Sequence, residues 1–195
     1  MTDTSVMNII RRRRSISKMT DQMPTRQQIE YILEAATHAP NHHRVEPWKF
    51  IVLAGEARIE LGQIMQDALL SRMGDVPLTQ VQSQLEQEER KPLRAPVIIA
   101  VISEFPRLEY ALDIENVEAT SAAVQNMLLV TEELGLAAIW RTGEAAYDDQ
   151  VKHWLGVEPE DHIVAFIYLG YPAIPRLERR PTPIESKTTW YGWEG

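Results

Sequence analysis

Ala39-Pro40-Asn41-His42-His43-Arg44-Val45-Glu46-Pro47-Trp48-Lys49-Phe50 is the stretch on which the fold turns. Upstream, residues 25–37 carry Ile29, Ile32, Leu33 and Ala36 at helical spacing, and Thr25 with Gln28 fits a capping box at the start. Downstream, Phe50-Ile51-Val52-Leu53 is an apolar run of strand length. Pro40 lacks an amide hydrogen and disfavours the α conformation at Ala39, so it ends the helix. Pro47 stiffens the turn that delivers Trp48 into the strand. Between the prolines, Asn41, His42, His43 and Arg44 occupy a short loop held at both ends. Two readings fit: a solvated helix-to-strand connection, or a binding loop displayed by a rigid scaffold.

Outward from this loop, helical and strand signals follow one another. Residues 5–13 read as a short helix with Val6, Ile9 and Ile10 on one face. Residues 56–73 form a helix carrying Ile59, Ile64, Met65 and Leu69 inward, and 74–77 break it. The charged segment 80–91 is short of large apolar residues and reads as an exposed helical excursion. Residues 97–102, Val-Ile-Ile-Ala-Val-Ile, are the clearest buried strand. A long helix is expected over 115–135, with Ala119, Ala122, Ala123, Gln125 and Asn126 allowing close approach and Gly135 in the C′ position. Residues 137–143 make a strand running into a turn, Asp148 or Asp149 caps a short helix to Leu155, and 163–168 is the last core strand. Beyond Pro172 the tail is proline-rich and holds Trp190, Tyr191 and Trp193, which need a surface to cover them.

With 195 residues, the chain suits one domain with a substantial core. Its net charge of −8 and pI near 5.2 argue against nucleic acid or an anionic membrane as partner. No run approaches the roughly 18 apolar residues of a membrane span. The first ten residues lack an apolar stretch behind a basic segment, and cysteine is absent, so a cytoplasmic location is expected. The lack of cysteine also removes disulfides, thiolate catalysis and Cys-ligated zinc. His38 and His42 stand four apart, but Pro40 breaks the helix that would align their rings, so no metal site is expected.

Arg11-Arg12-Arg13-Arg14-Ser15 is the one strongly basic run. Four consecutive arginines cannot share a helix face, so one or two turn inward while the others are solvated. Basic residues also suit a helix C-terminus electrostatically. The functional alternative is a phosphate site, because guanidinium forks match phosphate geometry and the Ser15 hydroxyl adds a donor.

In order along the chain, isoleucine followed by arginines and Ser15, Ala39-Pro40, Pro47-Trp48-Lys49-Phe50, Trp140-Arg141-Thr142-Gly143 and Arg179-Arg180-Pro181 resemble the FMN-dependent nitroreductase family, in particular its compact subgroup. The resemblance implies an α+β fold: a mixed central sheet of four to five strands flanked by helices, in a single domain over 1–195. The tail from about 172 would wrap the partner of a homodimer. It implies FMN as cofactor and NADH or NADPH as co-substrate, with hydride transfer in a ping-pong cycle to a nitroaromatic, quinone or related electrophilic acceptor. Because the flavin carries the redox chemistry, no catalytic side chain is implied.

Carried across by motif, Arg13, Arg14 and Ser15 would anchor FMN, with Arg180 adding a phosphate contact. Pro40, Asn41 and His42 of the other subunit would border it, with His38 nearby and His43 pointing away. Trp140, Arg141 and Thr142 would line the N5 side. Two positions depart from the family pattern: Glu46 stands where glutamine is common, and Ser17 stands where larger members carry a lysine. The reduced flavin's N1/O2 edge is then left to Lys18 or an arginine. A specialised dehydrogenase- or dehalogenase-type flavoenzyme on the same fold, or an FMN-storage module without turnover, is the alternative.

Overall fold

The computed structural model describes residues 5–193; residues 1–4 and 194–195, the two ends of the expected 1–195 domain, lie outside the described residues. Among the described residues, six α-helices surround four strands in the order α1 (Val6–Arg12), α2 (Arg26–Thr37), β1 (Trp48–Ala54), α3 (Glu56–Met73), α4 (Leu78–Glu89), β2 (Val97–Ser103), α5 (Asp113–Glu133), β3 (Ala137–Arg141), α6 (Asp149–Leu155) and β4 (His162–Gly170). The strands form one sheet in the order β1-β2-β4-β3.

All three ladders are antiparallel, which corrects the expected mixed arrangement, while the four strands fall within the expected four to five. The sequence pattern behind that expectation is real, since every residue of β2 is buried. Continuous apolar strands usually signal a parallel sheet covered on both faces. Here helices cover both faces of an antiparallel sheet, and the long connection through α3 and α4 still returns β2 beside β1. On one face Val97, Ile99, Val101 and Ile167 pack against Ile32 of α2 and Val124 and Met127 of α5. On the other, Ile98, Ala100, Phe166 and Tyr168 meet Leu61 and Met65 of α3 and Val151 of α6. Burying an isoleucine or leucine contributes about 1.5–3 kcal/mol, so these two layers hold the scaffold.

The end signals of α2 and α5 are borne out, whereas Ile59, expected to face inward on α3, is exposed because Leu61, Met65 and Ala68 form that helix's buried side. Thr25 accepts from the Gln28 N–H and the Gln28 side chain accepts from the Thr25 N–H, completing the capping box of α2. At the end of α5, Gly135 takes φ +72°, its N–H reaches Glu132 O at 3.1 Å, and Leu136 N–H reaches Thr131 O at 3.0 Å. That pair of bonds closes the helix in a left-handed turn that glycine adopts without a Cβ clash. Residues 78–89 differ from the expected exposed excursion. Val81 and Leu85 of α4 are buried, and a Cβ at Gly62 of α3 would stand 2.1 Å from Glu89 O. The absence of a side chain at one position of α3 lets α4 dock, which an apolar count along α4 does not reveal. No helix among the described residues is long and apolar enough to cross a membrane.

Candidate functional site

Two of the four arginines, Arg12 and Arg14, have distinct partners, and the chain's two ends decide which. Arg12 lies 3.5 Å from Glu132, a carboxylate near the end of α5 with only 5% of its side chain exposed. Arg176 of the tail donates to the other oxygen of Glu132 at 3.0 Å. Arg14 donates through Nε to Leu177 O at 2.6 Å and through Nη1 to Arg11 O and Arg13 O at 2.7 and 2.8 Å. Arg11 is exposed.

Arg13 is left with excess positive charge around it. Burial is the largest influence lowering its pKa, followed by the charges of Arg179 and Arg14, with Glu132 opposing them. A guanidinium losing solvent beside two others attracts an anion. Ser15 sits at the edge of the sheet, bridged in parallel to Ala138 of β3, where Ile16 N–H donates to Ala138 O at 3.1 Å. Its side chain is exposed beside this charge. Lys18 is also exposed, and its carbonyl receives Ala173 N–H at 3.0 Å, a second tie between amino end and tail. In the basic tail pair, Arg179 rather than Arg180 is the residue whose charge acts on Arg13; Arg180 is exposed next to it.

The loop between the prolines is built by strain. His43, Arg44 and Glu46 have φ of 52°, 57° and 46°, in a region that costs a non-glycine residue about 1–3 kcal/mol. Asn41 closes the loop, its Oδ1 accepting Glu46 N–H at 3.0 Å. His42 and His43 meet edge-on with centroids 4.0 Å apart, and His43 meets Tyr110 edge-on at 4.6 Å. His43 therefore packs against Tyr110 of its own chain. Such clusters of strained backbone persist where surrounding structure holds a functional geometry.

Pro40, Asn41 and His42 line a hollow of about 380 Å³ with Glu115, Glu118, Ala119 and Ala122 of α5. His38 lines a neighbouring one of about 410 Å³, with Val6 and Ile9 of α1 and Asn126 and Val130 of α5 among its walls. Ala122 and Glu132 are ten positions apart on α5, so the loop and the arginine cluster are separated by about 15 Å of helix. Within one chain, Pro40, Asn41 and His42 are not brought to the arginine cluster, whereas His38 shares a hollow with Ile9 and Glu133 near it.

At the far end of β3, Trp140 and Arg141 point to opposite faces of the sheet. Trp140 packs against the α2/α5 layer and donates through Nε1 to Val164 O at 3.0 Å. The Arg141 guanidinium lies 5.8 Å over the Tyr168 ring in the other layer. Thr142 follows, exposed. Glu132 is the residue that sequence reasoning missed, although a signal exists. Two glutamates end α5, where the helix dipole disfavours negative charge, so a cationic partner was to be expected.

Comparison with known proteins converges on one family. The model described as "Nitroreductase family" matches residues 10–171. YfhC of Bacillus subtilis (strain 168), which carries a provisional NAD(P)H nitroreductase name, is 32% identical over 183 residues, covering 93% of this chain and 92% of YfhC. The crystal structure of a nitroreductase-like family protein from Bacillus cereus superposes with a TM-score of 0.84 at 27% identity, covering 99% of both chains. A provisionally named nitroreductase from Desulfovibrio desulfuricans, solved in complex with FMN, gives 0.74 at 25% identity over 99% of this chain and 100% of that one. The match runs from the arginine run through β4, and on that basis the chain belongs to the nitroreductase family of oxidoreductases.

Proposed function

We propose that the chain is an FMN-dependent NAD(P)H oxidoreductase acting as a homodimer on nitroaromatic, quinone or related electrophilic acceptors. The observation that carries this reading is the excess positive charge where Arg13, Arg14 and Arg179 converge, beside exposed Ser15. Guanidinium groups suit a phosphate monoester, and the FMN-bound relative makes a flavin mononucleotide the natural ester. FMN, when bound, supplies the redox chemistry, accepting hydride from NAD(P)H and delivering reducing equivalents to the acceptor.

The chain's own residues bind and orient. Arg13 and Arg179 neutralise the phosphate, Arg180 extends the positive edge, and the Ser15 hydroxyl offers a donor. Arg14 is spent on three carbonyls, so its role is to fix the tail and keep Arg13 in place. Lys18 stands four residues from Arg14 on the exposed side and is the group nearest in sequence to balance charge on the flavin's pyrimidine edge. Trp140 and the main chain at Arg141 and Thr142 wall the end of β3.

Pro40, Asn41 and His42 lie too far along α5 to serve their own chain's arginines, so they complete the site of a second copy, with His38 nearby. Val6, Met7 and Ile10 on α1, Leu112 and Ile114 at the start of α5, and Trp190, Tyr191 and Trp193 in the tail are all exposed. A second copy would cover this apolar surface, with the tail lying along it.

The visible spectrum of the purified protein, followed by anaerobic addition of NADH or NADPH, tests the reading. Flavin absorbance should bleach on reduction and return when a nitroaromatic is added, through many cycles. Protein that neither carries flavin nor takes up FMN overturns it, and protein that binds FMN without cycling is a storage module. Mixed dimers pairing an Arg13→Ala chain with a His42→Ala chain test the shared site. They should retain one undamaged site, and activity as low as that of either parent variant rules out the cross-subunit assignment.

A further inference from the structure

On the face of the sheet covered by α3 and α6, a cavity of about 360 Å³ is lined by Glu88, Lys91, Arg94, Arg141, Glu144 and Tyr168, with Trp140 also in its wall. Its size falls in the range of small-molecule sites. The charges do not cancel. Glu88 is paired with Lys91, and Glu144 is turned to Arg72 at 3.4 Å. Arg94 and Arg141 then remain without a carboxylate partner among the described residues.

Arg141 is the more telling of the two. Its Nε is buried with no hydrogen-bond partner, a state that costs free energy unless an acceptor arrives. The Tyr168 ring beneath it is 5% exposed, and its hydroxyl makes no hydrogen bond among the described residues. Burial pushes that phenol up to about 12, against the opposing charges of Arg141 and Arg94, so it remains a proton donor at any physiological pH.

We propose that Arg141, Arg94 and the Tyr168 hydroxyl form a second anion site, separate from the arginine cluster at the chain ends, which takes a small molecule bearing a phosphate or carboxylate group. A tetrahedral or planar oxyanion accepts from the guanidinium of Arg141 and from the phenol, while exposed Arg94 closes on it from the rim. The ligand sits against Thr142 and Gly143, on the turn that leaves β3, so occupancy stiffens the strand end carrying Trp140. Nothing in this site requires flavin, and it stands or falls independently of the proposed activity.

Equilibrium dialysis of the intact protein, saturated with FMN, against labelled inorganic phosphate and separately against labelled succinate tests the site. One probe or both should bind saturably at one per chain, and which one binds separates a phosphate from a carboxylate ligand. Arg141→Ala should weaken binding by about tenfold or more, the scale of a lost charge-assisted hydrogen bond. Tyr168→Phe, which removes only the hydroxyl, should weaken it by about fivefold. Arg179→Ala, in the other cluster, should leave it unchanged. Failure of both probes to bind overturns the proposal, as does binding that survives Arg141→Ala and Tyr168→Phe or that is lost with Arg179→Ala. Should Arg141→Ala not fold, Arg141→Lys keeps the charge without the fork, and wild-type binding by both it and Tyr168→Phe would equally overturn the assignment.

Discussion

The arginine cluster and the proline-bounded loop are both candidate ligand surfaces, yet they are built in opposite ways. The cluster is assembled from residues far apart in the chain: Arg12, Arg13 and Arg14 come from one end, Arg176 and Arg179 from the other, and one buried carboxylate, Glu132, gathers Arg12 and Arg176. Its backbone is ordinary and its cost is electrostatic. The loop is local, with six residues between two prolines, and its cost is conformational, carried in the positive φ of His43, Arg44 and Glu46. A site assembled by charge depends on the distant residues that neutralise it. A site assembled by strain depends on the few neighbours that keep the backbone from relaxing.

The largest effect should come from Glu132→Ala. Removing it strands two guanidiniums, and although breaking a buried pair costs 3–5 kcal/mol, Arg12 and Arg176 keep part of their solvation, so about 3 kcal/mol is expected in urea unfolding. Flavin retention should fall with it, and a variant as stable as the parent would show that the cluster does not need its carboxylate. Next, Arg13→Ala should weaken FMN binding by roughly 1.5–3 kcal/mol while barely moving the melting temperature. Arg14→Ala should show the reverse weighting, because its guanidinium serves carbonyls. If titration calorimetry finds the two variants alike, the division of labour between them is wrong.

The loop should answer to smaller changes. Asn41→Ala deprives Glu46 N–H of its acceptor and should cost about 1 kcal/mol. Glu46→Gly should stabilise the fold by about the same amount by relieving a positive φ, yet lower turnover because the loop is no longer held. Thermal melts beside steady-state rates separate the two outcomes, and a Glu46→Gly variant that gains nothing would remove strain from the account. The smallest expected change is His43→Ala, about 0.5–1 kcal/mol of stability from the lost edge contact with Tyr110. A Tyr110→Ala partner variant should be non-additive with it, and strict additivity would show that the two rings do not interact.

Much of this molecule was legible in one dimension because the signals were local. Capping by Thr25 and Gln28, helix termination by Pro40, the apolar run of β2 and the left-handed Gly135 each depend on residues within a few positions. The basic run and the histidine loop were visible for the same reason. What local pattern could not supply was pairing. An apolar strand looks the same whether its neighbours run parallel or antiparallel, so the sheet's direction was misread. Packing of α4 hung on the missing side chain of Gly62 on α3, far along the chain from the Glu89 carbonyl that packs against it.

The sequence by itself determined the elements, their ends and the residue types available for an anion, since backbone capping, proline geometry and apolar periodicity act over a turn or two. Only the tertiary structure decided which arginine is free, which is tied to the tail and which is held by Glu132, and that Arg141 lines a second basic cavity over Tyr168. Those choices are long-range because a buried charge must find its partner wherever the fold brings one, and no spacing rule along the chain records that distance.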